Sequence, residues 1–400
     1  MTSENFFDYF DTNGNLKSTV SGDLTFKNEF SSIVPSITIN KGITINSDQA
    51  ILKNMGIKIT AANVVLDGLT FISDTSVGDL IYVGASDATL TNLDISYSVG
   101  DEDAIAINID GADNVEITDS TIFFESTVSD DSKDAIAINV FDAIDILIDG
   151  NNITTRLPGL YAQNYDGDYM LMGLTTVNPI KFKEVDGLVY SNNIQDSSIN
   201  KCTASYPTAQ SMFIVGCNDI NILNNDFSMI DTVTPVGTNI YLYAFTVGFT
   251  IASNIKGNNF NIFTNGGGAE AGTAYAIQVV KANLNITGNE IISKSNGPNL
   301  GIYAASMMGE DSNLYISDNF INVTGLATSA STGWGLVSGI EIQNGIGQIY
   351  NNTIYTYNTA DYDENNYLYG VSYAQWMTGQ RSLDVRDNVI VQKVSMQYQS

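Results

Sequence analysis

The sequence predicts an all-β protein, a right-handed parallel β-helix of about eleven coils behind a short N-terminal cap. Three observations predict it. From residue 37 onward, short β-rich runs recur about every 24 to 41 residues, a spacing that marks solenoids. An Asn returns at one position of most units. Upstream of that position lies a second run rich in Ile, Val, Tyr and Phe with period-two alternation, and no long helical pattern interrupts the series.

The chain divides into a cap over 1–36 and a β-helix over 37–400. A solenoid leaves strand edges open at both ends, so a cap is expected. Phe6, Phe7, Tyr9 and Phe10 suit a short amphipathic lid, and LTFKNEF (24–30) alternates like an edge strand. The C-terminal VSMQYQS shows no comparable cap, which implies that the natural chain continues.

Within the helix, the unit is written in VEITDSTI (115–122), ILIDGNNI (146–153), INILNNDF (220–227), LNITGNEI (284–291), LYISDNFI (314–321) and LDVRDNVI (383–390). Aligned on these runs, the ladder reads Asn151, Asn192, Asn225, Asn258, Asn289, Asn319, Asn352 and Asn388, preceded by Ser120, Leu93 and Leu69. Asn tolerates the left-handed backbone of a tight corner, and its amide can bond an identical amide one coil away. The upstream strand appears as AIAIN (104–108 and 135–139), SMFIV (211–215), YAIQVV (275–280), LGIYAA (300–305) and SGIEIQ (338–343). Such strands stack as parallel sheets around a continuous apolar core. The segments 157–173, 196–209, 228–238, 264–273, 324–335 and 358–368 read as outward loops.

Composition fits this architecture and narrows function. Hydrophobic residues form 44% of the chain and charged residues 15%, enough apolar surface for a large core. Sixteen Lys and Arg against 44 Asp and Glu give a net charge of −28, which repels phosphate backbones and anionic lipids, so nucleic acid is excluded as a partner. No apolar run approaches the ~20 residues of a membrane span, so direct membrane insertion is not expected. The chain has no His, which removes Ser-His-Asp and Cys-His catalysis and the commonest zinc ligand. Catalysis would have to run on carboxylates, Tyr, Lys or Arg. Cys202 and Cys217 are the only cysteines and could form one disulfide or stay as two thiols.

The ladder, together with ITINKGITINSDQAILKNMGIKITAANVVLDGLTF (37–71), resembles pectate-lyase-like parallel β-helix repeats. The acidic aromatic stretch NFFDYFDTNGNL (5–16), followed by LTFKNEF and Asn-rich coils, is similar to adhesin-like surface proteins of methanogenic archaea. That resemblance implies export, attachment to the cell surface, and binding to glycans or another cell's surface components; a monomer is expected. Met1-Thr2-Ser3 opens without a signal peptide, so an exported form would have lost its leader. Polygalacturonase-type relatives carry a Gly-His-Gly motif that a chain without His cannot have. Pectate lyases pair acidic calcium ligands with an Arg base, and Arg156, Arg381 and Arg386 lie far in sequence from the best acidic cluster.

That cluster surrounds the repeated hexapeptide DAIAIN at 103–108 and 134–139. Stacking would set Asp103 beside Asp134 and crowd Asp101, Asp130 and Asp131 into the same corner. Like charges so placed raise one another's pKa or recruit a cation, and calcium suits several carboxylate oxygens on adjacent loops. Solvated acidic loops partly neutralised by Lys133, a calcium site, or a carboxylate pair with the spacing of a retaining glycosidase all fit the pattern. A second candidate is the aromatic group Tyr355, Tyr357, Tyr362, Tyr367, Tyr369, Tyr373 and Trp376, whose rings could pack on sugar faces or simply pack with one another.

Three functions are therefore expected: an extracellular adhesin-like binding protein for glycans, a polysaccharide lyase or glycoside hydrolase, or a structural spacer of a larger surface protein.

Overall fold

A computed structural model describes residues 1–400 except 131, 162–163, 167–168, 175–176, 203–206, 236–237, 239, 267–272, 306–311, 327–334, 344, 360–365, 374–380 and 395–400. Only the backbone is described at 161, 164–166, 169–174, 273, 305, 335, 366, 381 and 394. The chain is a right-handed parallel β-helix, and among the described residues 34 strands join in one continuous sheet system.

Three columns of parallel strands form the walls. Sheet A runs from Ser36–Ile39 and Gly56–Ile59 through Gly78–Val83 and Ala104–Asp110 to Gly335–Ile342 and Asn366–Tyr373. Sheet B includes Val64–Asp67, Val115–Thr118, Ser253–Lys256 and Arg381–Arg386. Sheet C includes Thr70–Ser73, Thr121–Ser126, Asn259–Thr264 and Val389–Val394. Pairing joins each strand to its equivalent one coil away, so every position becomes a column along the axis.

The core follows from that register. On sheet A, Ile57, Ile81, Ile107, Ile138, Ile180, Met212, Phe245, Ile277, Ile302 and Ile340 stack in one file, each at most 1% exposed. Inward aliphatics bury completely because both neighbours in the file are also apolar. At the N-terminal end, the single α-helical turn Phe6–Tyr9 sets Phe6 and Phe10 face to face at 4.9 Å, and these pack on Phe26 and Phe30. Phe7, expected in the same lid, points outward at 49% exposure.

The ladder between sheets B and C holds with one shift of register. The buried member in its coil is Asn193, not Asn192. Asn192 occupies the preceding position, at φ 54°, in a column shared by Gly68, Asn92, Asp119, Gly150, Asn224, Gly257, Gly288, Asp318, Asn351 and Asp387, all with positive φ. Two tasks assigned to one Asn are thus divided between neighbours. The corner residue takes the left-handed backbone, where Gly, Asn and Asp cost least. The next residue turns its amide inward.

Asn258 shows the bonding pattern. Its backbone N–H and its side-chain Nδ2 both donate to Asn289 Oδ1, at 2.9 and 3.0 Å, while Nδ2 also donates to the Ile222 carbonyl at 2.9 Å. Ser120 enters the same file with a shorter side chain: its Oγ accepts from the Leu93 amide at 3.0 Å, and its amide donates to Asn151 Oδ1 at 2.9 Å. Leu93 and Leu69 continue it as buried apolar residues. Cys202 and Cys217 are separate thiols, and burial pushes the Cys217 thiol up to about 11.

Candidate functional site

Sheet A departs from simple alternation. From Gly78–Val83 onward its pairing passes over one residue per strand, as at Ala106 between Ile105 and Ile107 and at Ala137 between Ile136 and Ile138. Two successive side chains then face the core, Ala106 with Ile107 and Ala137 with Ile138. The remaining positions form two outward files. One runs Lys58, Tyr82, Asn108, Asn139, Lys181, Phe213, Thr246, Gln278, Tyr303, Glu341, Ser372. The other includes Asp79, Asn178, Gln210, Tyr243, Tyr275, Ser338 and Tyr369. Lys58, Tyr82, Asn108 and Asn139 keep solvent contact, whereas farther along the axis Phe213, Tyr243, Thr246, Gln278 and Ser338 are buried.

In the N-terminal half the polar groups are linked across coils. Asn108 Nδ2 donates to Asp79 Oδ2 at 3.0 Å, and Asn139 Nδ2 donates to Asn108 Oδ1 at 2.8 Å. Lys58 Nζ lies 4.9 Å from the centre of the Tyr82 ring, whose hydroxyl donates to Asp110 Oδ2 at 3.4 Å. Burial raises the Asp79 carboxyl above the usual carboxylate range, with Asp110 adding to the rise and the Asn108 bond and Lys58 opposing it. Asp134, just upstream of its sheet A strand, is also raised by desolvation; Lys181 opposes the rise, and Asp103 and Asp79 add to it. Asp134 retains solvent contact, so its protonation is less strongly biased than burial alone would make it. Two carboxyls whose desolvation favours the protonated form, with a lysine near one of them, are candidates for proton transfer.

In the C-terminal half the face becomes aromatic. Tyr243 and Tyr275 stack at 4.9 Å with planes 2° apart, Tyr275 meets Tyr303 at 4.8 Å, and Tyr241 stacks on Tyr243 at 6.4 Å. Desolvation raises the Tyr243 and Tyr303 hydroxyls well above the ordinary phenol range, so both remain neutral donors. Glu341, 6% exposed, accepts from Gln343 Nε2 and Ser372 Oγ at 3.3 Å each, and burial raises its carboxyl in spite of those bonds.

The acidic corner read from DAIAIN is differently arranged. Asp103 and Asp134 lie on adjacent coils, but the contact is the Asp134 amide donating to Asp103 Oδ1 at 2.9 Å. Asp101 forms an ion pair with Lys133 at 2.9 Å and accepts from Ser129, which together lower its carboxyl to about 2. Asp130 accepts from Ser132, which lowers its carboxyl too. Asp131 lies outside the described residues. Among the described residues no group of three or more acidic or thiol side chains is arranged to hold a metal ion.

The C-terminal tyrosines divide between two sheets. Tyr355 and Tyr357 sit on sheet C, Tyr355 against Phe320 at 5.6 Å and Tyr357 under Lys393 at 5.4 Å. Tyr367, Tyr369 and Tyr373 sit on sheet A, where Tyr367 and Tyr369 stack at 6.1 Å. Tyr362 and Trp376 lie outside the described residues. The sequence assigns YAIQVV (275–280) and LGIYAA (300–305) to strands around the core and leaves the Tyr243 strand unassigned; Tyr243, Tyr275 and Tyr303 lie in the outward files. Their recurrence in successive units, each two residues before or after a small or aliphatic residue, was the available signal.

No family model and no curated protein matches the chain. Among solved structures it is similar to the A-module of the mannuronan C-5 epimerase AlgE6 from Azotobacter vinelandii, at 12% identity and TM-score 0.51 over 97% of this chain and 98% of that one. It also matches a mannuronic acid specific polysaccharide family 6 lyase from human gut microbiota, at 10% identity and TM-score 0.34 over 90% and 86% of the two chains. A family 6 alginate lyase complexed with a trisaccharide matches at 13% identity and TM-score 0.27 over 96% and 84%. The epimerase module establishes a shared β-helical fold. The resemblance to archaeal adhesin-like proteins gains no support from these comparisons.

Proposed function

We propose that the chain is a polysaccharide-modifying enzyme that binds its substrate at the N-terminal part of the outer face of sheet A, with Asp79 and Asp134 as proton-handling groups and Lys181 near Asp134. One observation carries this reading: Asp79, half-buried and bonded by Asn108, and Asp134, at the start of a sheet A strand two coils on, lie on the outer side of the same wall with Lys181 near Asp134, and desolvation raises both carboxyls. A carboxyl that holds its proton more tightly than an exposed one can protonate or deprotonate the sugar being changed. A shared fold with a polysaccharide epimerase module is consistent with the reading but does not select the reaction. Long polysaccharides are met outside the cell, which makes this an extracellular protein.

The test is incubation with a panel of purified polysaccharides, followed by assays for new reducing ends, for unsaturated products by ultraviolet absorbance, and for inverted sugar centres by NMR. Asp79→Asn and Asp134→Asn should each lower turnover by about 100-fold or more while the melting temperature holds. An adhesin-like protein would instead retain a glycan unchanged, with the same affinity in wild type and both variants. That result would end the enzymatic reading.

A further inference from the structure

Asp79 is held differently from Asp134. Its strand turns two successive side chains inward, Leu80 and Ile81, so Asp79 and Tyr82 face outward on either side of them. Asn108, one coil on and paired with Tyr82, reaches back across that step and donates Nδ2 to Asp79 Oδ2 at 3.0 Å. Asn139, one coil further and paired with Asn108, donates its own Nδ2 to Asn108 Oδ1 at 2.8 Å. Among the described residues Asp79 Oδ1 takes no hydrogen bond, and neither carboxyl oxygen of Asp134 takes one.

The two ends of an amide are alike in shape and opposite in function: the nitrogen donates and the oxygen accepts. With Nδ2 of Asn108 toward it, Asp79 is bonded as the ionised carboxylate. With Oδ1 toward it, only a protonated carboxyl could bond, by donating. The donor from Asn139 occupies Asn108 Oδ1 and so fixes the first arrangement. Lys181 follows Asn139 in the same file, and a cation on that side favours the Asn139 oxygen turned toward it and Nδ2 turned toward Asn108. Amides aligned in this way polarise one another, which strengthens the final bond to Asp79. The other ionisable groups around Asp79 act through space, with none bonded to its carboxyl among the described residues. Lys58 favours its charge, Asp110 and Asp134 oppose it, and Tyr82 and Tyr97 are neutral phenols.

We propose that Asn108 and Asn139 are positioning residues, an amide relay that holds Asp79 ionised as the proton acceptor of the site and leaves its Oδ1 for the sugar. The part of the relay in catalysis rests on the enzymatic reading above, whereas the relay itself is a property of the folded chain.

The experiment is a carboxyl-carbon NMR titration of the full chain with labelled aspartate, the Asp79 signal being the one missing in Asp79→Asn. Asn108→Leu keeps the branched shape and removes both ends of the amide, and should raise the Asp79 pKa by about one unit. Asn139→Asp is isosteric. Its carboxylate accepts from Asn108 Nδ2 and turns Oδ1 to Asp79, whose pKa should again rise by about one unit. In the Asn108→Leu background the same substitution should add only about 0.3 unit, the effect of one more charge acting through solvent. Melting curves verify folding, and Asn108→Ala serves in place of an Asn108→Leu variant that melts early. An unchanged Asp79 titration in the Asn108 variant, or an equal rise from Asn139→Asp in both backgrounds, would overturn the relay. On any polysaccharide that the wild type alters, the acidic limb of the pH–rate profile should move up with the Asp79 pKa in Asn139→Asp. A limb that stays in place removes Asp79 from the role of base and overturns the part of the relay in catalysis. If no polysaccharide is altered, the enzymatic reading fails and that part fails with it, while the titration still decides the relay.

Discussion

At the scale of single residues, the ladder asparagines and their neighbours offer a controlled contrast. Asn289 Oδ1 accepts two bonds from Asn258, and its Nδ2 donates to the Ile255 carbonyl and to Asn319 Oδ1, all between 2.9 and 3.0 Å and all buried. Asn289→Ala strands these partners without water. It should cost about 3 kcal/mol in denaturant unfolding. Asn192→Gly acts on an exposed corner that already has φ 54° and loses only the bond to Asp149 Oδ1. Its cost should stay within about 0.5 kcal/mol. Equal costs for the two would show that the corner, and not the amide file, holds the coils in register. Glu341 gives a pH-dependent case. Its folded pKa is raised from 4.5 by burial, so it binds its proton more tightly folded than unfolded. Its stabilising contribution is complete below the unfolded pKa and is lost as pH rises through the folded one. Glu341→Gln should therefore remove a decline in stability across that window. Unfolding curves at a series of pH values would show the wild-type minus variant difference falling as pH increases.

At the scale of elements, stacked strands make aromatic side chains act as files. Phe227 on sheet C lies parallel to Tyr190 at 6.1 Å and to Phe260 at 5.0 Å, and meets Phe245 of sheet A edge-on at 5.7 Å. Phe227→Ala should cost about 4 kcal/mol, because the cavity opens between coils that cannot close without breaking register, whereas Phe227→Leu should cost about half as much. Loss of cooperativity in the unfolding curve at that coil would be the accompanying sign. These files also explain what the sequence disclosed. The Asn recurrence was legible because every coil repeats it, and the error at Asn192 arose where two adjacent asparagines fill the corner and ladder positions. The outward files of sheet A were not legible. Period-two alternation assigns Tyr243 and Tyr275 to a face only if no residue is passed over, and their strands pass over Ala244 and Ala276. The charged corner was partly legible: Lys133 reads as neutralising the acidic loops and does pair with Asp101, while nothing in the sequence indicates that Ser129 would bond the same carboxylate.

At the scale of the whole molecule, the solenoid aligns like charges. A net charge of −28 on a body built from parallel files places carboxylates at repeated intervals along the same faces, where each repels its neighbours in the next coil. Asn–Asp pairs relieve part of this: Asn92, Asn114, Asn259 and Asn351 each donate across one coil to an Asp, at 2.6 to 2.8 Å. Much of the remaining repulsion acts through solvent, and monovalent salt should screen it. The melting temperature should therefore rise by several degrees between low and moderate sodium chloride and level off as the Debye length falls below the coil-to-coil separation of carboxylates. Calcium separates screening from binding. If the acidic loops around Asp101, Asp103, Asp130 and Asp134 are solvated and internally bonded, calcium at matched ionic strength should raise the melting temperature no more than sodium does. If submillimolar calcium raises it further, and Asp103→Ala or Asp134→Ala removes only that increment, the loops bind the cation.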